Sequence, residues 1–221
     1  MKTYKYFFIT FLLMLIACQV TNAQKFDPEY VKVTNQRAQK IVDKMEVDGS
    51  DKQLAVRDLI ANQYRSLNFI QETRDAKVDK VKAANYSKSK TDKKVEKIKM
   101  KADKEIKKLH KKYLKKLSKE LTEEQVGQVK DGMTYGVFPK TYAAFLEMIP
   151  SLTSEEKEYI FNNLKEAREL AMDGGSSHEK HAWFGKYKGR INNYLSARGY
   201  DLEKERDGWY KRIEAKKKTN H

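Results

Sequence analysis

Apolar residues recur at spacings of three and four through most of this chain, and strict apolar–polar alternation is almost absent. The pattern therefore predicts helices throughout. Val31, Ala38, Ile41, Val42 and Met45 make the first stripe. Asp27-Pro28-Glu29 opens it with Pro in the first turn, and Asp48-Gly49 closes it. Ser50-Asp51-Lys52-Gln53 reads as a capping box, in which the Ser oxygen takes an orphan N–H and Gln53 reaches back. A long stripe follows through Val56, Ile60, Gln63, Leu67, Ile70, Arg74, Val78 and Val81. Asn85-Tyr86-Ser87 marks a turn. A second stripe then runs through Val95, Ile98, Ala102, Ile106, Leu109, Tyr113 and Leu117. Two coiled-coil stripes joined by a short turn predict an antiparallel hairpin over 50–118, each arm roughly 45 Å long at about 1.5 Å per residue. The half of it nearest the turn has few large apolar residues and is expected to project into solvent.

The second half of the chain is richer in aromatics. Thr122–Gln125, Thr153–Glu156 and Ser176–Glu179 each have the form of a capping box. Gly132, Gly136, Pro139 and Pro150 cut the segment between the first two into short helices. Tyr159, Ile160, Leu164, Ala167 and Ala171 share one helix face. Trp183, Phe184, Tyr187, Ile191, Tyr194 and Leu195 share another, which Gly199 ends. A last helix is expected from Asp201 through Trp209 and Ile213, with Lys216-Lys217-Lys218 a frayed tail. The expected fold is all-α: a helical bundle with a long antiparallel basic hairpin, residues 24–200 forming one domain and 201–221 a C-terminal helix and basic tail.

Residues 1–23 are set apart. Lys2 and Lys5 precede an apolar run from Tyr6 to Ala17, too short for a spanning helix, and Thr21-Asn22-Ala23 supplies small residues before Gln24. This predicts a cleaved signal peptide and a periplasmic or secreted protein. Leu15-Ile16-Ala17-Cys18 also has the form of a lipobox, so a lipoprotein anchored at Cys18 stays open. Cys18 is the one cysteine, which excludes an intramolecular disulfide and a Cys-based zinc finger.

The chain carries 46 Lys plus Arg against 31 Asp plus Glu, a formal charge of +15. Two of those Lys lie in the signal segment. Between Arg74 and Lys119 there are 19 basic and 6 acidic residues, so the hairpin holds +13 and the rest of the mature chain sums to zero. Lys93, Lys94, Lys97, Lys101, Lys104, Lys108, Lys111, Lys112 and Lys115 cover the exposed faces of its second arm. Such a surface attracts polyanions with little specificity, or simply keeps a coiled-coil face soluble. For an exported chain, acidic polysaccharide or another envelope polyanion ranks above nucleic acid, and a membrane surface enters only with lipidation at Cys18.

Three further groups are candidates for chemistry. His178-Glu179-Lys180-His181 places two imidazoles and a carboxylate in one helical turn. His178, His181 and Glu179 are thus candidate acid–base residues, against the plain reading of a packed helix start. The His-Glu-x-x-His metal signature is missing, and neither a metal site nor a cofactor is expected. Trp183, Lys186, Arg190 and Asn193 combine ring-stacking with polar groups, as a sugar site needs, or else the aromatics are core. In Asp131-Gly132-Met133-Thr134-Tyr135-Gly136 with Lys140, two glycines bracket Thr and Tyr. That turn can face the 173–181 loop across a pocket, with Tyr135 and Lys140 as ligand-binding candidates, or can be an ordinary turn between helices.

The boxes Leu121-Thr122-x-x-Gln125 and Leu152-Thr153-x-x-Glu156 resemble the repeated motif of Spy-type periplasmic chaperones. A longer resemblance runs through Asp131–Gly136, Thr141-Tyr142-Ala143-Ala144, Glu166-Ala167-Arg168-Glu169, Met172–Ser177 and Glu179–Leu195. These segments are similar to the domain of unknown function 3826 family of exported Bacteroidota proteins, over about residues 30–200. That resemblance implies export and occurrence beside polysaccharide-degrading systems, often pectin-related. It implies no activity, cofactor or catalytic residue. The expected function is therefore an exported, non-enzymatic protein binding an acidic partner in pectin-type polysaccharide utilisation. The alternatives are a Spy-like chaperone, or a glycan-active enzyme with its site around 131–142 and 173–194.

Overall fold

Helix starts set the architecture, and most are fixed by a side chain that satisfies an orphan amide. The structure is a computed structural model that describes residues 26–219; the expected signal peptide and Cys18 lie outside the described residues. Among the described residues there are eight helices and no strand: α1 Pro28–Val42, α2 Ser50–Ala83, α3 Lys88–Glu120, α4 Glu123–Met133, α5 Val137–Met148, α6 Ser154–Ala171, α7 Ser177–Ala197 and α8 Leu202–Thr219. None is long and apolar enough to cross a membrane.

Asp27 caps α1, accepting from the Glu29 and Tyr30 amides at 2.8 and 3.1 Å. Thr122 and Gln125 form a reciprocal capping box at α4, and Thr153 and Glu156 form another at α6. At α7 half of the box is rewired. Ser176 accepts from the Glu179 amide, but the Glu179 carboxylate reaches past it to accept from the Gly175 amide at 2.6 Å. The box expected at Ser50 does not form. Gly49, with φ of 83°, takes the cap position and places Ser50 inside α2, and Gln53 donates instead to the Val47 carbonyl at 2.8 Å.

α2 and α3 pack together as the expected hairpin, joined by a turn over 84–87. Its free half is thinly packed: beyond Gln71 on α2 and before Tyr113 on α3, only Val78 and Ala102 are buried. At the tip, the Lys90 and Lys94 ammonium groups lie 4.7 and 4.9 Å from the centre of the Tyr86 ring.

The apolar interior has two centres. One gathers α1, the root of the hairpin and α4, with Ile60, Leu117, Val129 and Met172 among its members. The other gathers α5 to α8 around Ile160, Leu164, Phe184, Ile191 and Leu195. Charged pairs join them. Arg168 on α6 donates to Asp131 on α4 at 2.8 Å, and Lys130 pairs with Glu169. His110 on α3 places Nδ1 2.8 Å from Asp173 and Nε2 3.4 Å from Glu169.

α8 lies along α5. Arg212 donates to the Glu147 and Met148 carbonyls that end α5, and Trp209 donates to the Glu147 carboxylate. In place of the expected frayed tail, Lys216–Lys218 continue the helix, because no Gly or Pro follows Gly208 within it.

Candidate anion-binding cleft

The residue types along α1 foreshadow a surface that the overall charge count hides. Tyr30 and Arg37 are seven residues apart, so they stack along one face of α1, with Lys40 beside them and Lys44 in the turn that follows the helix. This face forms one wall of a cleft of about 920 Å³. Tyr64 and Gln71 on α2 form its floor. The α4–α5 turn, with Tyr135, Gly136 and Lys140, stands on one side. The α6–α7 loop and first turn of α7, with Gly174 to Ser177 and Lys180, stand on another.

Five cations line this cleft: Arg37, Lys40, Lys44, Lys140 and Lys180. Asp131 is the acidic residue among the lining side chains, and Arg168 already neutralises it. A sixth cation is buried close by. Arg65 is held by the oxygens of Thr34, Asn35 and Asn62, all neutral partners. A second hollow of about 620 Å³ beside the hairpin shows the contrast. There Arg74, Lys82 and Lys99 are balanced by Asp75, Asp79, Asp103 and Glu179. Among the described residues no group of three His, Cys, Asp or Glu is placed to hold a metal ion.

Of the five cations, Lys180 alone is buried, at 6 % exposure. Its Nζ donates to the Met172 carbonyl at 3.2 Å and lies 6.0 Å from the centre of the Tyr64 ring. Burial pulls its pKa down to about 8, and Arg37 pushes the same way against Asp173 and Glu179. Burial drives the Tyr64 phenol up to about 12. The loop that carries Lys180 is pressed onto α2. Gln71 donates to the Asp173 carbonyl at 3.0 Å, and a Cβ at Gly175 would meet the Gln71 amide carbon at 2.7 Å. Any side chain there would have to displace the Gln71 amide from this contact.

Tyr135 is the described non-glycine residue with positive φ, 62°, and Gly136 follows at 65°. Left-handed backbone at an aromatic residue costs on the order of 1 kcal/mol or more and is kept where the surroundings demand it. Here the Gly136 amide bonds the Asp131 carbonyl at 2.8 Å and closes α4, and the Tyr135 side chain stands out at 52 % exposure. Its ring stacks on His181, centroids 5.6 Å apart. His181 is fixed in turn by Nδ1, which donates to the Ser177 carbonyl at 2.7 Å.

The residues singled out from the sequence divide into two groups. Tyr135 and Lys140 line the cleft, and His181 backs Tyr135 at its rim. His178 is exposed on the first turn of α7, and Glu179 is spent on the Gly175 amide and the second hollow. Trp183, Lys186, Arg190 and Asn193 are not among the cleft walls. The helical repeat of α7 leaves Trp183 half-buried against the second apolar centre and turns Lys186, Arg190 and Asn193 outward, where Lys186 lies over Trp183 and Arg190 over Tyr187. Arg190 also meets Glu166 at 3.8 Å and Asn163 at 3.4 Å, and Asn193 is exposed.

Sequence reasoning misses Arg37, Lys40, Lys44, Tyr64 and Lys180 as cleft residues. The three- and four-residue spacing of Arg37, Lys40 and Lys44, at the end of α1 and just past it, is the signal that could have found the first three. His110 is missed too, though it lies four residues from Ile106 and three from Tyr113, on the inward stripe of an arm otherwise full of lysine. The close carboxylates of Asp173, then Glu169, raise its pKa to about 9.

A family model described as protein of unknown function (DUF3826) matches residues 31–215, so the chain belongs to that family. The match spans all but the first residues of α1 and the end of α8, and so takes in every lining residue of the cleft except Tyr30. No curated protein matches the chain. The two Leu-Thr boxes are fully accounted for as helix caps, which leaves the Spy-type resemblance resting on those boxes, the long helices and the charge.

Proposed function

We propose that this member of the DUF3826 family is an exported protein that binds acidic glycans, with the α1–α2–α5–α7 cleft as its site. The observation that supports this reading most is the charge of the cleft: five cations around one carboxylate that is already paired. Uronate units of a pectin-type chain suit that lining. Their carboxylates take the cations, and the C–H faces of their rings lie against Tyr30, Tyr64 and Tyr135. Four of the five cations are lysines, which act as point charges and accept carboxylates in varied orientations. The volume falls within the ~300–1,000 Å³ of sites for small ligands. The hairpin then plays a separate part, because its +13 raises the local concentration of a polyanion and speeds encounter.

Isothermal titration of residues 24–221 with trigalacturonate tests this. Binding at low ionic strength that weakens as salt is added is expected, with neutral galactan giving no heat. The double variant Lys40→Glu/Lys44→Glu should bind at least about tenfold more weakly, by reversing two wall charges. Equal binding of neutral galactan, or an unchanged affinity in the double variant, would overturn the proposal.

A further inference from the structure

The cleft holds more than charge. Four of its cations are exposed, but Lys180 is sunk beneath them, and the ring of Tyr64 keeps water from one side of it. The Met172 carbonyl, which accepts from its Nζ at 3.2 Å, anchors the amine in the cleft lining. Tyr135 stands in the same cleft at an energetic cost to the backbone, with its ring backed by His181. A shielded amine, an exposed phenol and a ring of cations are three separate requirements of one reaction: elimination across a uronate.

Resting on the acidic-glycan reading of this cleft, we propose that the protein cleaves 4-O-linked uronate polymers by β-elimination, with Lys180 as the base and Tyr135 as the acid. The cations around Arg37 neutralise the uronate carboxylate, so that negative charge developing beside C5 is stabilised. The neutral Lys180 amine takes the C5 proton and becomes an ammonium. The C–H electron pair forms the C4=C5 double bond, and the C4–O bond breaks. The departing oxygen takes the phenolic proton of Tyr135. One product carries a new hydroxyl and the other a 4,5-unsaturated uronate, with no water consumed. The ammonium then returns its proton to the phenolate through solvent, and both groups are restored.

The groups facing Lys180 are Arg37 from α1, Tyr64 from α2, and Asp173 and Glu179 from the loop and first turn of α7. The two carboxylates and Arg37 oppose one another. Burial therefore sets the balance, and the amine sheds its proton near pH 8. Turnover should rise with pH up to that point and then level.

The test uses residues 24–221 with polygalacturonate, alginate and hyaluronan, read by the ultraviolet absorbance of the unsaturated uronate and by product mass. At least one polymer should yield unsaturated ends, with product masses summing to that of the substrate. Lys180→Met should lose at least about 100-fold in turnover at saturating polymer, the usual worth of a positioned base. Tyr135→Phe, at the surface, should lose turnover and remain folded by circular dichroism, which covers the case in which Lys180→Met misfolds. Intact binding with no unsaturated product from any polymer would overturn the elimination and leave the binding reading standing. Products heavier by one water would overturn it in favour of hydrolysis, and full turnover in both variants would overturn the assignment of these residues. Loss of all binding in the unaltered protein would sink both readings.

Discussion

His110 is where the basic hairpin is fastened to the rest of the fold, and its replacement by Gln isolates that fastening. Its imidazolium sits between Asp173 and Glu169, with the three side chains 18, 18 and 28 % exposed. The folded pKa is about 9, above the 6.5 of the free side chain. A raised pKa contributes stability that is fully present below the unfolded value. That stability is lost as pH rises through about 9. A shift of this size has a ceiling of about 3 kcal/mol, and partial exposure reduces it to about 2 kcal/mol. The Glu169 carboxyl, held down to about 2 against its own desolvation by His110 and Lys130, reports partly the same contact, so the two are not added. Urea unfolding of the unaltered chain and of His110→Gln, at about pH 6 and about pH 10, gives the test. Subtracting the two proteins at each pH cancels every other titrating group to first order. The difference should be about 2 kcal/mol at the lower pH and below about 0.5 kcal/mol at the higher. A difference that does not change with pH would show that His110 acts through packing alone, and would refute the charge argument.

Other substitutions probe neighbouring parts of the molecule. Gly175→Ala should lower stability by about 1–3 kcal/mol in thermal or urea melts, because the new methyl displaces the Gln71 amide that donates to the Asp173 carbonyl. Thr153→Ala removes the acceptor for the Glu156 amide and should cost about 1 kcal/mol in urea melts. Lys186→Ser/Arg190→Ser strips charge from the outer face of α7 and should leave trigalacturonate binding at about 0.15 M salt within about twofold of the unaltered protein by calorimetry, because neither residue lines the cleft and salt screens exposed charges.

Much of the fold can be read from the sequence because its determinants are local. Three- and four-residue spacing gives the helices, and the boxes at Thr122 and Thr153 need only an amide and a side chain three residues away. Ser50 shows the limit of that logic. Its neighbour Gly49 can enter the left-handed region and take the cap position, a choice that the pattern Ser-x-x-Gln does not encode. The cleft is only half readable. The turn with Tyr135 and the loop with Gly174-Gly175 stand out by composition, so their confrontation is open to expectation. What completes the cleft is the approach of α1, about ninety residues earlier in the chain, and a charge sum over the whole body hides the local excess of Arg37, Lys40 and Lys44. On α7 the aromatic and amide cluster is what draws the eye in the sequence. The helical repeat splits it, sending Lys180 inward and Arg190 outward.

Whether an acidic glycan is held in the cleft or on the hairpin is decided by hydrogen exchange on residues 24–221, with and without trigalacturonate, read by mass spectrometry. Protection in peptides covering 131–140 and 174–180, together with the α1 segment 37–44, is the predicted result. Protection confined to 88–119, or none at saturating ligand, would contradict it.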